Sequence, residues 1–266
     1  MIKSTKYFIV VIFLLIGVSS CKYQRLLKSS DTTLKYEKAK EYYDEGNYAK
    51  AMTLYEQLVP IYRGTEKGEE ISYYFAHCNY NLKDYIMAGH YFNKFANSFP
   101  NSKYTEECSF LSAYCYYLDS PKTSLDQEST YKAISEIQLY LGRYPDTERM
   151  EQCNELLDEL RKKLEVKSYD NAFLYYKIYQ YKAAAIALKS SLEQFPETDS
   201  KEDILYYTLK SSYNYAINSV YDKAKSRLEV ALKDYKTFVK NFPESEYNKD
   251  VNRIHESIIK KLEPFN

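Results

Sequence analysis

One short pattern occurs four times in this chain. Ser98-Phe99-Pro100-Asn101-Ser102, Arg143-Tyr144-Pro145-Asp146-Thr147, Gln194-Phe195-Pro196-Glu197-Thr198 and Asn241-Phe242-Pro243-Glu244-Ser245 each set an aromatic before proline, a polar turn residue after it, then Ser or Thr. Proline stops the helix before it, and the Ser or Thr can cap the next one. Ile61-Tyr62-Arg63-Gly64-Thr65 reads as a degenerate fifth copy, with Arg63 in the proline position. Twelve residues before each of these positions stands an alanine: Ala51, Ala88, Ala133, Ala184 and Ala231. A small residue recurring there implies close approach of two helices. A chain punctuated this way is confined to a succession of helix pairs.

The leading halves repeat as well. Ala39, Ala76 and Ala113 are spaced by 37, as are Tyr42-Tyr43, Asn79-Tyr80 and Tyr116-Tyr117. Short turns, Gly46-Asn47 and Lys83-Asp84, divide the pairs. Helix, turn, helix, proline resembles the tetratricopeptide repeat, with Gly46 to Tyr55 the closest copy, although the repeat's usual Trp is absent. Five units follow, over 33–64, 70–101, 106–146, 167–197 and 203–244. Asp119 to Glu128 is a polar insertion within unit three. Leu156, Leu157, Leu160 and Leu164, at helical spacing within 147–166, mark an extra helix before unit four. Ala224 also fits the small position, so the second helix of unit five is about two turns longer. Val251, Ile254, Ile258 and Leu262 mark a C-terminal capping helix. The expected fold is all-α, a right-handed superhelical solenoid.

Lys3 and Lys6, an apolar run from Tyr7 to Val18 and the small residues before Cys21 have the grammar of a secretory leader. The run is shorter than the roughly 20 residues a membrane span needs. A cysteine directly after the small residues resembles the lipobox of bacterial lipoproteins. That resemblance implies cleavage of 1–20, acylation (including palmitate) at Cys21, and a body tethered through 21–32, with Lys22 to Thr33 as a short polar leash. Multiple acyl chains hold a protein firmly at a membrane. No acid follows in Lys22-Tyr23-Gln24-Arg25, which favours the periplasmic leaflet of the outer membrane.

Cleavage leaves 35 basic residues against 37 acidic ones, a balance that argues against nucleic-acid binding. Gly and Pro are scarce, at 6 and 7, and Tyr is abundant at 32, which suits helices with broad semi-polar packing surfaces. Cys108 and Cys115 lie about 10 Å apart along a helix, beyond disulfide reach. Cys78 and Cys115 sit at equivalent places in successive units, and Cys108 and Cys153 each follow a unit-ending proline by eight residues. Equivalent residues on stacked helices are ~8–10 Å apart, so buried free thiols are expected.

Enzymatic constellations are not evident. The histidines are His77, His90 and His255, with no metal spacing, phosphate loop or nucleophile elbow. No catalytic residue, metal or cofactor is assigned. Binding in a helical solenoid is usual on its inner face. Registering each first helix on its alanine gives three ladders: Tyr36, Tyr73, Phe110 and Tyr169; Lys40, His77, Tyr114 and Phe173; Tyr43, Tyr80, Tyr117 and Tyr176. Each such ring is either open groove or inter-helix core. As a set they suit an extended peptide with aromatic side chains.

Leader, lipidated cysteine and five such units together resemble the BamD family of outer-membrane assembly lipoproteins. The resemblance implies a non-enzymatic scaffold of the β-barrel assembly (Bam) complex, anchored at the outer membrane and facing the periplasm. It implies that units one to three (33–146) hold the C-terminal strand of unfolded outer-membrane proteins, with a groove at Tyr36, Lys40, Tyr43, Tyr73, His77 and Tyr80 that the ladders extend to Phe110, Tyr114 and Tyr117. It also implies a docking surface for a periplasmic domain of the central barrel subunit near units four and five, within the remainder (147–266). Two other classes are a carbohydrate-binding outer-membrane lipoprotein, disfavoured by the absence of Trp, and a tetratricopeptide scaffold for envelope or pilus assembly.

Overall fold

The computed structural model describes residues 22–265; Cys21 and the leader before it lie outside the described residues. After a short helical segment at 22–27 come α1 (Thr32–Asp44), α2 (Tyr48–Leu58), α3 (Glu66–Asn81), α4 (Tyr85–Ser98), α5 (Thr105–Asp119) and α6 (Glu128–Arg143). Then follow α7 (Met150–Lys177), α8 (Tyr181–Gln194), α9 (Lys201–Ile217), α10 (Tyr221–Asn241) and α11 (Asn248–Leu262), closed by a 3-10 turn at Glu263–Phe265. No strand occurs among the described residues. The described chain is an all-α array of tetratricopeptide-like pairs, in two compact units: 22–121 with 127–157, and 122–126 with 158–265.

The helix ends follow from the repeated pattern. Phe99, Tyr144, Phe195 and Phe242 cap α4, α6, α8 and α10 with φ of -128, -127, -129 and -134° and ψ of 62, 70, 72 and 68°. That lies outside the α region, which a following proline closes to its neighbour. The Ser or Thr acts differently from a helix cap. Ser102, Thr147, Thr198 and Ser245 accept from the backbone N–H two residues on, in tight turns that precede the next helix. Three of them also donate to a glutamate: Ser102 to Glu69 at 2.6 Å and Thr147 to Glu106 at 2.7 Å, near the starts of α3 and α5, and Thr198 to Glu165 at 2.6 Å, within α7.

In the first unit, α1 to α6 pack in sequence order. Ala51, Ala88 and Ala133 of the second helices are fully buried, as are Ala39 and Ala76 of the first. One core holds Ala39, Leu54, Tyr55, Leu58, Ile71 and Phe75; the next holds Ala88, Phe92, Phe95, Cys108 and Cys115. Close approach is sharpest at two glycines. A Cβ on Gly68 would stand 2.0 Å from the Tyr62 carbonyl oxygen, and one on Gly89 would stand 3.2 Å from Cys115 Cβ. The buried Ser112 hydroxyl donates to the Gly89 carbonyl at 2.9 Å. Cys78, Cys108, Cys115 and Cys153 are free and buried.

The extra helix and the first helix of unit four are one continuous helix, α7, of 28 residues. No Gly or Pro interrupts Met150 to Lys177, so nothing in the sequence breaks it. Its turns to Leu157 belong to the first unit and the rest to the second. In the second unit Ala172, Leu188 and Ile204 join α7, α8 and α9, and Lys167 holds the Thr123 and Leu125 carbonyls at 3.0 and 2.6 Å. α10 has 21 residues against 14 in α8, the expected lengthening. Val251, Ile254, Ile258 and Leu262 of α11 are buried against Leu209, Leu228 and Phe238. Asp234, almost wholly buried in α10, is satisfied by Lys189 at 2.8 Å and by the Ser212 hydroxyl at 2.6 Å.

A ring-lined face on the first helices

The nine candidate groove residues lie three each on α1, α3 and α5, at i, i+4 and i+7, one stripe of each helix. The structure sorts them by what they touch. The first rung, Tyr36, Tyr73 and Phe110, is closed by the element that begins the next pair. Tyr36 donates to Glu70, and the Lys67 ammonium sits 4.2 Å from its ring. Tyr73 donates to Glu107 at 3.3 Å and stacks on Tyr104 at 4.3 Å. Phe110, 6% exposed, lies against Tyr140 at 5.6 Å and under the Arg149 guanidinium at 4.7 Å. Burial, with the glutamate beside each hydroxyl, pushes Tyr36 and Tyr73 well above the usual phenol range.

The middle rung is mixed. Lys40 is exposed and pairs with Glu70 at 3.2 Å. Burial pushes the Glu70 carboxyl up, but hydrogen bonds from Tyr36 and Lys40 outweigh it and hold it below the usual carboxylate value. His77 is packed between Tyr73 at 4.3 Å and Phe92 at 4.9 Å, with Nε2 buried and unbonded. Burial alone lowers its pKa to about 4, so the ring is neutral. Tyr114 is half-buried and stacks on Phe110 at 5.7 Å and Tyr117 at 5.6 Å.

The outer rung is half-buried throughout. Tyr43 meets Tyr48 at 5.4 Å and Tyr74 at 4.8 Å, edge to face, and burial pushes its phenol up to about 12. Tyr80 meets Tyr85 at 6.0 Å and Phe92 at 6.3 Å. Its phenol is raised first by burial and then by the Tyr114 phenol of α5. Of the nine, Lys40 is exposed, Phe110 is buried and the rest are half-buried; Tyr36 and Tyr73 are tied to glutamates of the next pair.

The ladders omit Tyr74, which touches Tyr43, Tyr73 and Tyr55. They also omit the closing residues, although Lys67 and Tyr104, and Glu70 and Glu107, share the spacing of 37 that placed the alanines. The second unit carries its own ring cluster. Tyr169, Phe173 and Tyr176 stack along α7 at 5.7 and 5.9 Å, and Tyr207 of α9 lies 4.5 Å from Phe173. Tyr206 stacks on Tyr247 at 4.0 Å beside the Lys210–Asp250 pair at 3.5 Å. Among the described residues no group of three or more His, Cys, Asp or Glu is placed to hold a metal, and no helix is long and apolar enough to cross a membrane.

Residues 28–228 and 169–263 match a family described as YfiO, outer membrane lipoprotein. An Aquifex aeolicus (strain VF5) protein named as an outer membrane protein assembly factor, BamD, is 28% identical over 188 residues, 65% of this chain. The match spans 60% of that relative, less than two thirds of its length.

Proposed function

Because the chain belongs to the YfiO family of outer membrane lipoproteins, the BamD-like family, we propose that it is a non-enzymatic scaffold in the assembly of outer-membrane β-barrels. One observation carries this reading: the family match runs along both compact units, so it covers the array rather than a single repeat. In this reading 1–20 is a cleaved leader and Cys21 is acylated, holding the body at the outer membrane on its periplasmic side. Residues 33–146 receive the C-terminal strand of an unfolded barrel protein, and units four and five, within 147–266, dock a periplasmic domain of the central barrel subunit.

The chemistry of the ring-lined face suits such a client. Half-buried phenols offer flat apolar area with a wet hydroxyl edge, the combination that binds aromatic side chains of an extended strand. The exposed Lys40–Glu70 pair holds itself only weakly, as exposed pairs do. A terminal carboxylate of the client can take Lys40 over. No bond is made or broken.

Tyr80 and Tyr114 give the clean test, because Tyr36 and Tyr73 also tie neighbouring pairs together. Tyr80→Ala with Tyr114→Ala is expected to weaken binding of barrel C-terminal peptides by about tenfold or more, about 1.4 kcal/mol. Fluorescence anisotropy measures it. Unchanged affinity in a variant with unaltered thermal unfolding contradicts the groove and leaves the scaffold reading standing.

A further inference from the structure

The stretch after Cys21 reads from sequence as a short polar leash. The structure shows it docked. Residues 22–27 form a short helical segment whose Tyr23, Leu26 and Leu27 pack on the core of the first pair. The Tyr23 hydroxyl donates to the Lys50 carbonyl at 3.0 Å, and its ring meets Tyr42 edge-on at 5.7 Å. The Lys50 ammonium lies 5.6 Å from the Tyr23 ring and 5.1 Å from the Tyr42 ring. Lys35, 8% exposed, donates to the Leu27 carbonyl at 3.0 Å and to Gln57 Oε1 at 2.7 Å. A cation that deep is costly unless hydrogen-bonded, and this one closes the end of the segment, where a helix favours positive charge.

Docking the apolar side inward puts the cations outward. Lys22, Arg25 and Lys28 are all exposed, and among the described residues none makes a hydrogen bond, ion pair or ring contact. No acidic residue occurs from 22 to 30, and Asp31 is engaged as the cap of α1, accepting from the Leu34 N–H at 2.9 Å. What lies opposite this basic side follows from the preceding sequence. The apolar run from Tyr7 to Val18 ends four residues earlier, at most ~14 Å of extended chain. Retained in a bilayer or cut before an acylated Cys21, that sequence brings lipid to this side.

We infer that the outer side of residues 22–28 is a docking surface for anionic phospholipid headgroups, and that the Lys35 and Tyr23 contacts fix the first helix pair relative to the membrane plane. The surface is independent of acylation and of the assembly role. Each Lys or Arg near an anionic surface strengthens binding by roughly fivefold.

The test uses the exported chain from residue 21 carrying Cys21→Ser, so that no acyl chain contributes, in flotation with vesicles. Binding to phosphatidylcholine vesicles containing phosphatidylglycerol, but not to phosphatidylcholine alone, is expected, with release at high salt. Lys22→Gln, Arg25→Gln and Lys28→Gln combined should weaken it by roughly 100-fold with unchanged thermal unfolding. Equal recovery on both vesicles, absence of binding to either, or an unaltered triple variant overturns the lipid surface. Hydrogen exchange decides the clamp: amides of 22–27 exchange slowly in the free chain and fast in Lys35→Met, and fast exchange in the parent overturns it.

Discussion

His77 sits between two aromatic rings with its Nε2 buried and unbonded, and no charged group pairs with it. An unfolded chain protonates this ring near 6.5, whereas the folded chain resists to about 4. The folded pKa is depressed, so the stability tied to His77 is full above 6.5 and is lost as pH falls towards 4, by about 3 kcal/mol over that window. Glu70, held below its ordinary 4.5, adds a further loss lower down, as pH falls through its folded value. Urea unfolding should show stability declining between pH 6.5 and 4, and His77→Leu should flatten that decline; an unchanged slope contradicts a buried neutral histidine. The glycines separate two causes of the same defect. Gly46 has φ 75° and open space around a built Cβ, so Gly46→Ala should cost only the left-handed backbone penalty, about 1–2 kcal/mol. Gly68→Ala meets the Tyr62 carbonyl at 2.0 Å and should cost more, because backbone must shift. Thermal unfolding of the two variants ranks them.

At the scale of the element, the tie from the Pro-x-Ser/Thr turn to a glutamate is the least obvious structural device. Thr198, 5% exposed, accepts from the Ser200 N–H at 3.1 Å and donates to Glu165 at 2.6 Å. Thr198→Val keeps the shape and removes both bonds, with an expected cost of about 1–3 kcal/mol, read by denaturant unfolding. The turn was legible in the sequence because proline acts on its neighbour's backbone. Its partner was not, because Glu69, Glu106 and Glu165 look like ordinary solvated acids until the turn folds over them. The small alanines announced the helix crossings for a similar reason, since only size matters there. The ladders were legible as a stripe but not in their partners: Tyr73 and Tyr80 share a helix face, yet the first stacks on Tyr104 of the next pair and the second meets Tyr85 and Phe92 of its own. In α7 the repeat period suggests a boundary that no breaker residue enforces.

For the whole molecule, the central claim is that this array serves barrel assembly at the outer membrane. The claim joins the family match, the ring-lined face of α1, α3 and α5, and an amino-terminal segment docked next to the residue where an anchor is expected. Recovery of the membrane-tethered protein with its partners, identified by mass spectrometry, tests it most directly. The account predicts a large barrel subunit with periplasmic domains as the dominant partner, together with unfolded outer-membrane proteins. Recovery of glycan-uptake or pilus components in its place contradicts it.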